Sequence, residues 1–99
     1  MREVVELFLA DVPGRISSLE ETMARADLQA LREQAHALKG AAGTVGAEAL
    51  RQASLALEHS ALEGDAPARE EALNGVREAF VAFRQAVAMI IKNDEGGRL

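Results

Sequence analysis

The sequence predicts an all-α fold, an antiparallel up-down four-helix bundle, and three observations lead there. Apolar residues recur three or four apart along nearly the whole chain, the spacing that lines one face of an α-helix. The breaks between these runs are short and carry residues that start or stop helices. No stretch shows the alternation of period two that a half-buried strand requires. Short connections make neighbouring helices antiparallel.

The first helix is expected from Arg2 to about Arg25, with Val5, Phe8, Val12, Ile16, Leu19 and Met23 inward. Pro13 lies inside it and removes the hydrogen bond to the Leu9 carbonyl. The apolar register crosses the proline without a skip, so one bent helix is expected rather than two. The second helix opens at Asp27, a good N-cap, and runs to about Thr44. Its seam is Leu28, Leu31, Ala35, Leu38, Ala42 and Val45, and Gly43 and Gly46 loosen its end. The third runs from about Ala47 to Glu63, with Leu50, Ala53, Leu57 and Ala61 inward, and stops at Gly64. Asp65 and Pro67 open the fourth, since proline is tolerated in a first turn. Leu73, Val76, Phe80, Phe83, Val87, Ile90 and Ile91 carry it to about Lys92. The domain is therefore expected over residues 1–92, with 93–99 as a frayed tail.

Composition narrows the function classes. A hydrophobic fraction of 48% supports a core, and with three Phe and no Trp or Tyr that core is Ala, Leu and Val. The absence of cysteine excludes disulfides, thiol chemistry and Cys-based zinc sites. A net charge of -5 argues against nucleic acid and against an anionic membrane surface. No apolar run approaches the roughly 20 residues that span a bilayer, so no membrane insertion is expected. The first residues lack the shape of a signal peptide, and a cytoplasmic setting is expected.

The stretch from Ala35 to Gly46 is the most informative. On a helical wheel His36, Gly40 and Gly43 share the side opposite the Leu31, Ala35, Leu38 and Ala42 seam, with Lys39 at their edge. The histidine therefore points to water. Each helical glycine costs about 1 kcal/mol relative to alanine, which suggests that something must come close to His36. Lys39, three residues on, is its neighbour on the helix surface and can offer a positive charge to an anion on the ring. In a hairpin turning near Gly46, position 36 lies opposite Glu58. A Glu58 carboxylate accepting Nδ1–H would fix the tautomer and leave the Nε2 lone pair outward. An oriented lone pair facing solvent is a nucleophile. His59, about 100° further round its helix, reads as a surface histidine.

His36-Ala37-Leu38-Lys39-Gly40, followed by small residues and Gly46, resembles the motif of the histidine phosphotransfer (HPt) domain, His-x-x-Lys-Gly with a further glycine near the helix end. Phe8-Leu9-Ala10-Asp11-Val12-Pro13 resembles that family's first long helix, Asp27-Leu28-Gln29-Ala30-Leu31 the approach to its histidine helix, and Glu63-Gly64-Asp65 the break after its third. The resemblance covers most of the chain. It implies that His36 is phosphorylated on Nε2, that Lys39 helps hold the phosphoryl oxygens, and that Gly40 lets a receiver domain dock closely. It implies a glutamine or glutamate that hydrogen-bonds the imidazole, here Glu58. Gly43, Gln29, Arg32 and Glu33 fall at the rim of the docking face. The partners implied are the receiver domain of a response regulator and a sensor histidine kinase, of which this chain can be a part; the chemotaxis-kinase branch is compatible with Gly43-Thr44 and Glu58. Relatives often carry a short helix before the first long one, which is not expected here.

No Gly-rich nucleotide loop and no acidic cluster suited to Mg²⁺ is present, so no cofactor is expected, and Mg²⁺ belongs to the receiver domain. A monomer is expected. Two alternatives stay open. One is a metal site using His36, Glu58 and His59, to which the Glu33-x-x-His36 spacing adds a ligand pair; bundle metal sites, however, face inward. The other is a non-phosphorylated interaction or dimerisation bundle that keeps the fold and drops the chemistry.

Overall fold

In the computed structural model, which describes residues 2–96 and side chains through residue 93, four helices follow one another: α1 (Arg2–Ala24), α2 (Leu28–Thr44), α3 (Glu48–Glu63) and α4 (Ala66–Gly96). They close a ring in chain order. α1 touches α2 and α4, α3 touches α2 and α4, and among the described residues the diagonal pairs stay apart. Neighbours run in opposite directions. Position 36 meets 58 while 43 meets 51 across α2 and α3, and Glu20 meets Arg77 while Phe8 meets Phe83 across α1 and α4.

Every expected seam supplies the core. Phe8, Val12 and Leu19 of α1 meet Leu31, Ala35, Leu38 and Ala42 of α2, Leu50, Leu57 and Ala61 of α3, and Leu73, Val76 and Phe80 of α4. Burying one leucine side chain contributes about 1.5–3 kcal/mol, so this single column dominates stability. α1 continues through Pro13 as one helix. Two buried polar residues, Thr22 and Ser54, return their hydroxyls to the carbonyls of Leu19 and Leu50, which is why they are tolerated inside.

The turns are built by identifiable residues. Asp27 Oδ1 accepts the Ala30 backbone N–H at 3.2 Å and caps α2. Asp65 Oδ1 does the same for Ala68 at 2.9 Å and opens α4. α2 ends in a Schellman motif: the N–H of Ala47 reaches the Ala42 carbonyl and that of Gly46 reaches Gly43. Gly46 holds φ +73°, which glycine adopts freely. The same motif ends α1, with bonds from Asp27 to Thr22 and from Ala26 to Met23. There the left-handed residue is Ala26, at φ 55°, where a Cβ is unfavourable.

Two expectations are corrected at the far end. α4 runs to Gly96 rather than to Lys92: no proline stands between, and the polar residues after Ile91 end the apolar seam without ending the helix. Residues 93–96 of the expected frayed tail are thus helical, and 97–99 lie outside the described residues. Ile90, expected inward, is 68% exposed. At 1.5 Å per residue, α4 with its 31 residues is about 46 Å long against about 24 Å for α3. Its last turns overhang the bundle, and no third helix covers Ile90.

Ala26→Gly is expected to raise stability by about 0.5–1 kcal/mol, because relief of the left-handed strain exceeds the added entropy of the unfolded chain. Urea unfolding checks this, and an unchanged or lower midpoint would count against strain at the α1–α2 turn.

Candidate functional site

Ala35, Leu38 and Ala42 anchor α2 in the core with no exposed surface, and this fixes what the helix shows to solvent. The His36 side chain is 63% exposed, one residue from the buried Ala35. Leu57 and Ala61 anchor α3 in the same way, and Glu58 leans from its edge toward α2. Its side chain is only 13% exposed. Glu58 Oε2 lies 2.9 Å from His36 Nδ1, as the hairpin register predicts.

Glu58 Oε1 lies 2.9 Å from Lys39 Nζ. This oxygen is buried and lacks a well-directed hydrogen bond, so the ammonium serves it as an ion-pair partner. Lys39, beside the carboxyl, holds the Glu58 pKa below its usual value; burial opposes this, and the His36 contact adds to the lowering. An ionised carboxylate only accepts hydrogen bonds. The neutral imidazole therefore carries its proton on Nδ1 and turns the Nε2 lone pair to solvent. One glutamate thus sets the tautomer of the histidine and the position of the lysine.

The rest of the predicted stripe divides. Gln29, Glu33 and Gly40 are exposed on α2 with His36, and Gln29 Nε2 donates to Glu33 Oε1 at 3.0 Å. A Cβ built on Gly40 would meet nothing within 4 Å. Gly43 differs: a Cβ there would touch Arg51 Cδ at 3.5 Å. Arg51 is held by Glu48 through contacts of 2.9 and 2.7 Å, and that arginine, with Gln52, lowers the Glu48 pKa to about 2. A side chain at Gly43 would thus rest against Arg51 of α3 at ordinary contact distance, while Gly40 is bare toward solvent. Arg32 is half-buried, and His59 is exposed. Among the described residues no three His, Cys, Asp or Glu side chains gather as metal ligands, and no helix is long and apolar enough to cross a membrane.

Sequence reasoning missed a furrow along the seam of α1 and α2. Its polar stretch is lined by Asp11, Gly14 and Arg15 of α1 and by Glu33 and Ala37 of α2. An apolar stretch follows, between Val4, Leu7 and Phe8 on one side and Ala41, Thr44 and Val45 on the other. Val4 and Leu7 fall outside the α1 seam, and apolar residues at outward positions were the available signal.

The arrangement offers an oriented nitrogen nucleophile, a neighbouring cation, and an open surface in place of a cleft. Compared with known protein families, residues 3–89 match the family model described as Hpt domain. No curated protein and no solved structure matches the chain.

Glu58 has a folded-state pKa below its unfolded one. Its contribution to stability is therefore full above the ordinary carboxylate range and is lost as pH falls through the folded value. Glu58→Gln should be less stable than the parent above the ordinary carboxylate range, and that margin should shrink below about pH 4. Chemical denaturation across pH measures it, and a margin that widens below about pH 4 would contradict the ionised assignment. The same variant should relax His36 toward a mixture of tautomers in ¹⁵N spectra, whereas a ring still purely protonated on Nδ1 would show that Glu58 does not orient it.

Proposed function

The chain belongs to the Hpt domain family, small helical phosphotransfer modules of signalling without an ATP site of their own, and we propose that it serves as a phosphorelay intermediate through His36. In this proposal the imidazole accepts a phosphoryl group from the aspartyl phosphate of a receiver domain, or from a kinase, and passes it to the receiver domain of a response regulator. The observation that carries the reading is the 2.9 Å contact between His36 Nδ1 and Glu58 on a ring that is itself 63% exposed.

The chemistry balances without an external base. The Nε2 lone pair attacks phosphorus, the N–P bond forms, and the bond from phosphorus to the donor carboxylate oxygen breaks. The proton stays on Nδ1, where Glu58 stabilises the positive charge that develops on the ring. Lys39 offers charge to the phosphoryl oxygens from three residues away, one helical turn along the same surface. Mg²⁺ and the acidic residues that hold it are contributed by the receiver domain. Positioning and charge neutralisation supply most of the catalysis of phosphoryl transfer, and both are available at this surface. Gly40 admits the partner closely, with Gln29, Arg32, Glu33 and Gly43 around it. A cytoplasmic monomer, free or within a larger sensor kinase, belongs to the same proposal.

Incubation with a phosphorylated receiver domain and Mg²⁺ should label the chain with an acid-labile, alkali-stable phosphate. His36→Gln should remove the label and leave the thermal melt intact; label that persists in this variant, or that sits on an aspartate, would sink the assignment. Gly40→Gln should melt at the same or a higher temperature, since glycine disfavours helix by up to about 1 kcal/mol and a new Cβ meets nothing. Transfer to this variant should nonetheless be slower, and an unchanged rate would remove the argument for a cleared surface.

A further inference from the structure

The outward face of α4 has no part in the phosphoryl chemistry. It lies on the side of the helix opposite the buried Leu73, Val76 and Phe80, where a surface helix is ordinarily polar. Here its middle is apolar, with Val81 39% exposed and Met89 65% exposed. The stripe is also symmetric about Gln85. Three residues before it stands Ala82 and three after it Ala88; four before, Val81, and four after, Met89; seven before, Glu78, and seven after, Lys92. All of these side chains are exposed, and they fall within about 60° of Gln85 on the helical wheel.

We infer that a second copy of the chain docks on this face, α4 against α4 and antiparallel, with the two-fold axis at Gln85. In a two-fold interface, if one residue meets another, the second also meets the first. About Gln85 that rule sets Glu78 opposite Lys92 of the copy at both ends. It sets Val81 opposite Met89 and Ala82 opposite Ala88 between them, and joins the two Gln85 amides at the centre. Charge is the first support. Glu78 and Lys92 have opposite signs, and among the described residues neither has an ion-pair partner within the chain. A parallel pairing would instead set Glu78 against Glu78 and Lys92 against Lys92. An amide both donates and accepts, so the central glutamines satisfy each other.

Shape is the second support. The last turns of α4 overhang the bundle, and the antiparallel register lays each overhang along the body of the other copy. There Met89 meets a shallow depression bounded by Arg77, Glu78, Val81, Ala82 and Gln85. The alanines let the helix axes approach to about 8–10 Å. Extent sets the strength. From Glu78 to Lys92 the stripe is about 21 Å long and about 10 Å wide, roughly 200 Å² in projection. Even doubled for surface relief, that is short of the about 800 Å² per partner of a stable complex. The dimer is therefore weak and reversible, and the monomer of the proposed function is its dilute form. α2 and α4 do not touch among the described residues and lie across the ring from each other, so both His36 side chains stay open in the pair. The pairing draws on nothing in the phosphotransfer chemistry.

The test is analytical ultracentrifugation of the full chain over a concentration series. The parent should show a reversible monomer–dimer equilibrium with a dissociation constant of about 10⁻⁴ M, as an interface of this size supports. Glu78→Lys and Lys92→Glu each set like charges face to face at both ends, and each should weaken the dimer about tenfold. The double variant restores opposite charges and should return to within about threefold of the parent. Circular dichroism of dilute samples should match the parent throughout. A parent that stays monomeric at about 1 mM overturns the inference. So does a dimer that neither single reversal weakens, or a double variant weaker than both singles, which would place the copy on another face. Loss of phosphoryl transfer to His36 with the equilibrium intact would remove the phosphotransfer reading and leave the dimer standing.

Discussion

The Glu58 carboxylate is shared, with Oε2 facing His36 Nδ1 and Oε1 facing Lys39 Nζ, each at 2.9 Å. Such sharing demands a fixed frame. A mostly buried charge is expensive unless it is well paired, and pairing here needs α2 and α3 to keep one register. Leu31, Leu38, Leu50 and Leu57, none of them exposed, hold that register. The Schellman turn at Gly46 sets the point from which it is counted. Core packing, turn geometry and site chemistry therefore meet at one side chain. Removing any of the three side chains changes the environment of the other two, so the site behaves as a unit rather than as three residues.

The bundle concentrates function on its surface. α2 is anchored by one face and presents the other without large side chains around His36. Gly40 has no neighbour that would exclude a Cβ, so its helix cost of about 1 kcal/mol has no cause inside the fold. Access from outside gives it one. In the proposed function this face serves as a broad, shallow docking surface with one reactive nitrogen near its centre. On that proposal, selectivity among partners comes from the shape of a surface, not from a substrate cavity.

Most of the fold was legible because an antiparallel bundle writes its core into a single period. Asp27, Gly46 and Asp65 marked the turns through their local chemistry, and counting outward from Gly46 brought Glu58 to His36. The departures have equally physical reasons. A wheel places Lys39 near the histidine but holds no information on how α3 lies beside α2, so its ion pair with Glu58 was invisible. Gly43 shares a stripe with Gly40, yet a Cβ there would touch Arg51 of the next helix. Ile90 keeps the apolar period after the helices that would bury it have ended. Ala26 adopts a conformation that its identity disfavours, imposed by the short turn. Each miss concerns where a second element lies, which periodicity within one helix does not encode.

The most direct measurement is the identity of the phosphorylated atom. ¹⁵N and ³¹P spectroscopy of the chain labelled in its histidines, after transfer from a phosphorylated receiver domain, resolves which ring nitrogen bears phosphorus. The account predicts phosphorus on Nε2 of His36 with the proton retained on Nδ1. Phosphorus on Nδ1, or on His59, would contradict the claim that Glu58 aims the reactive nitrogen at the partner.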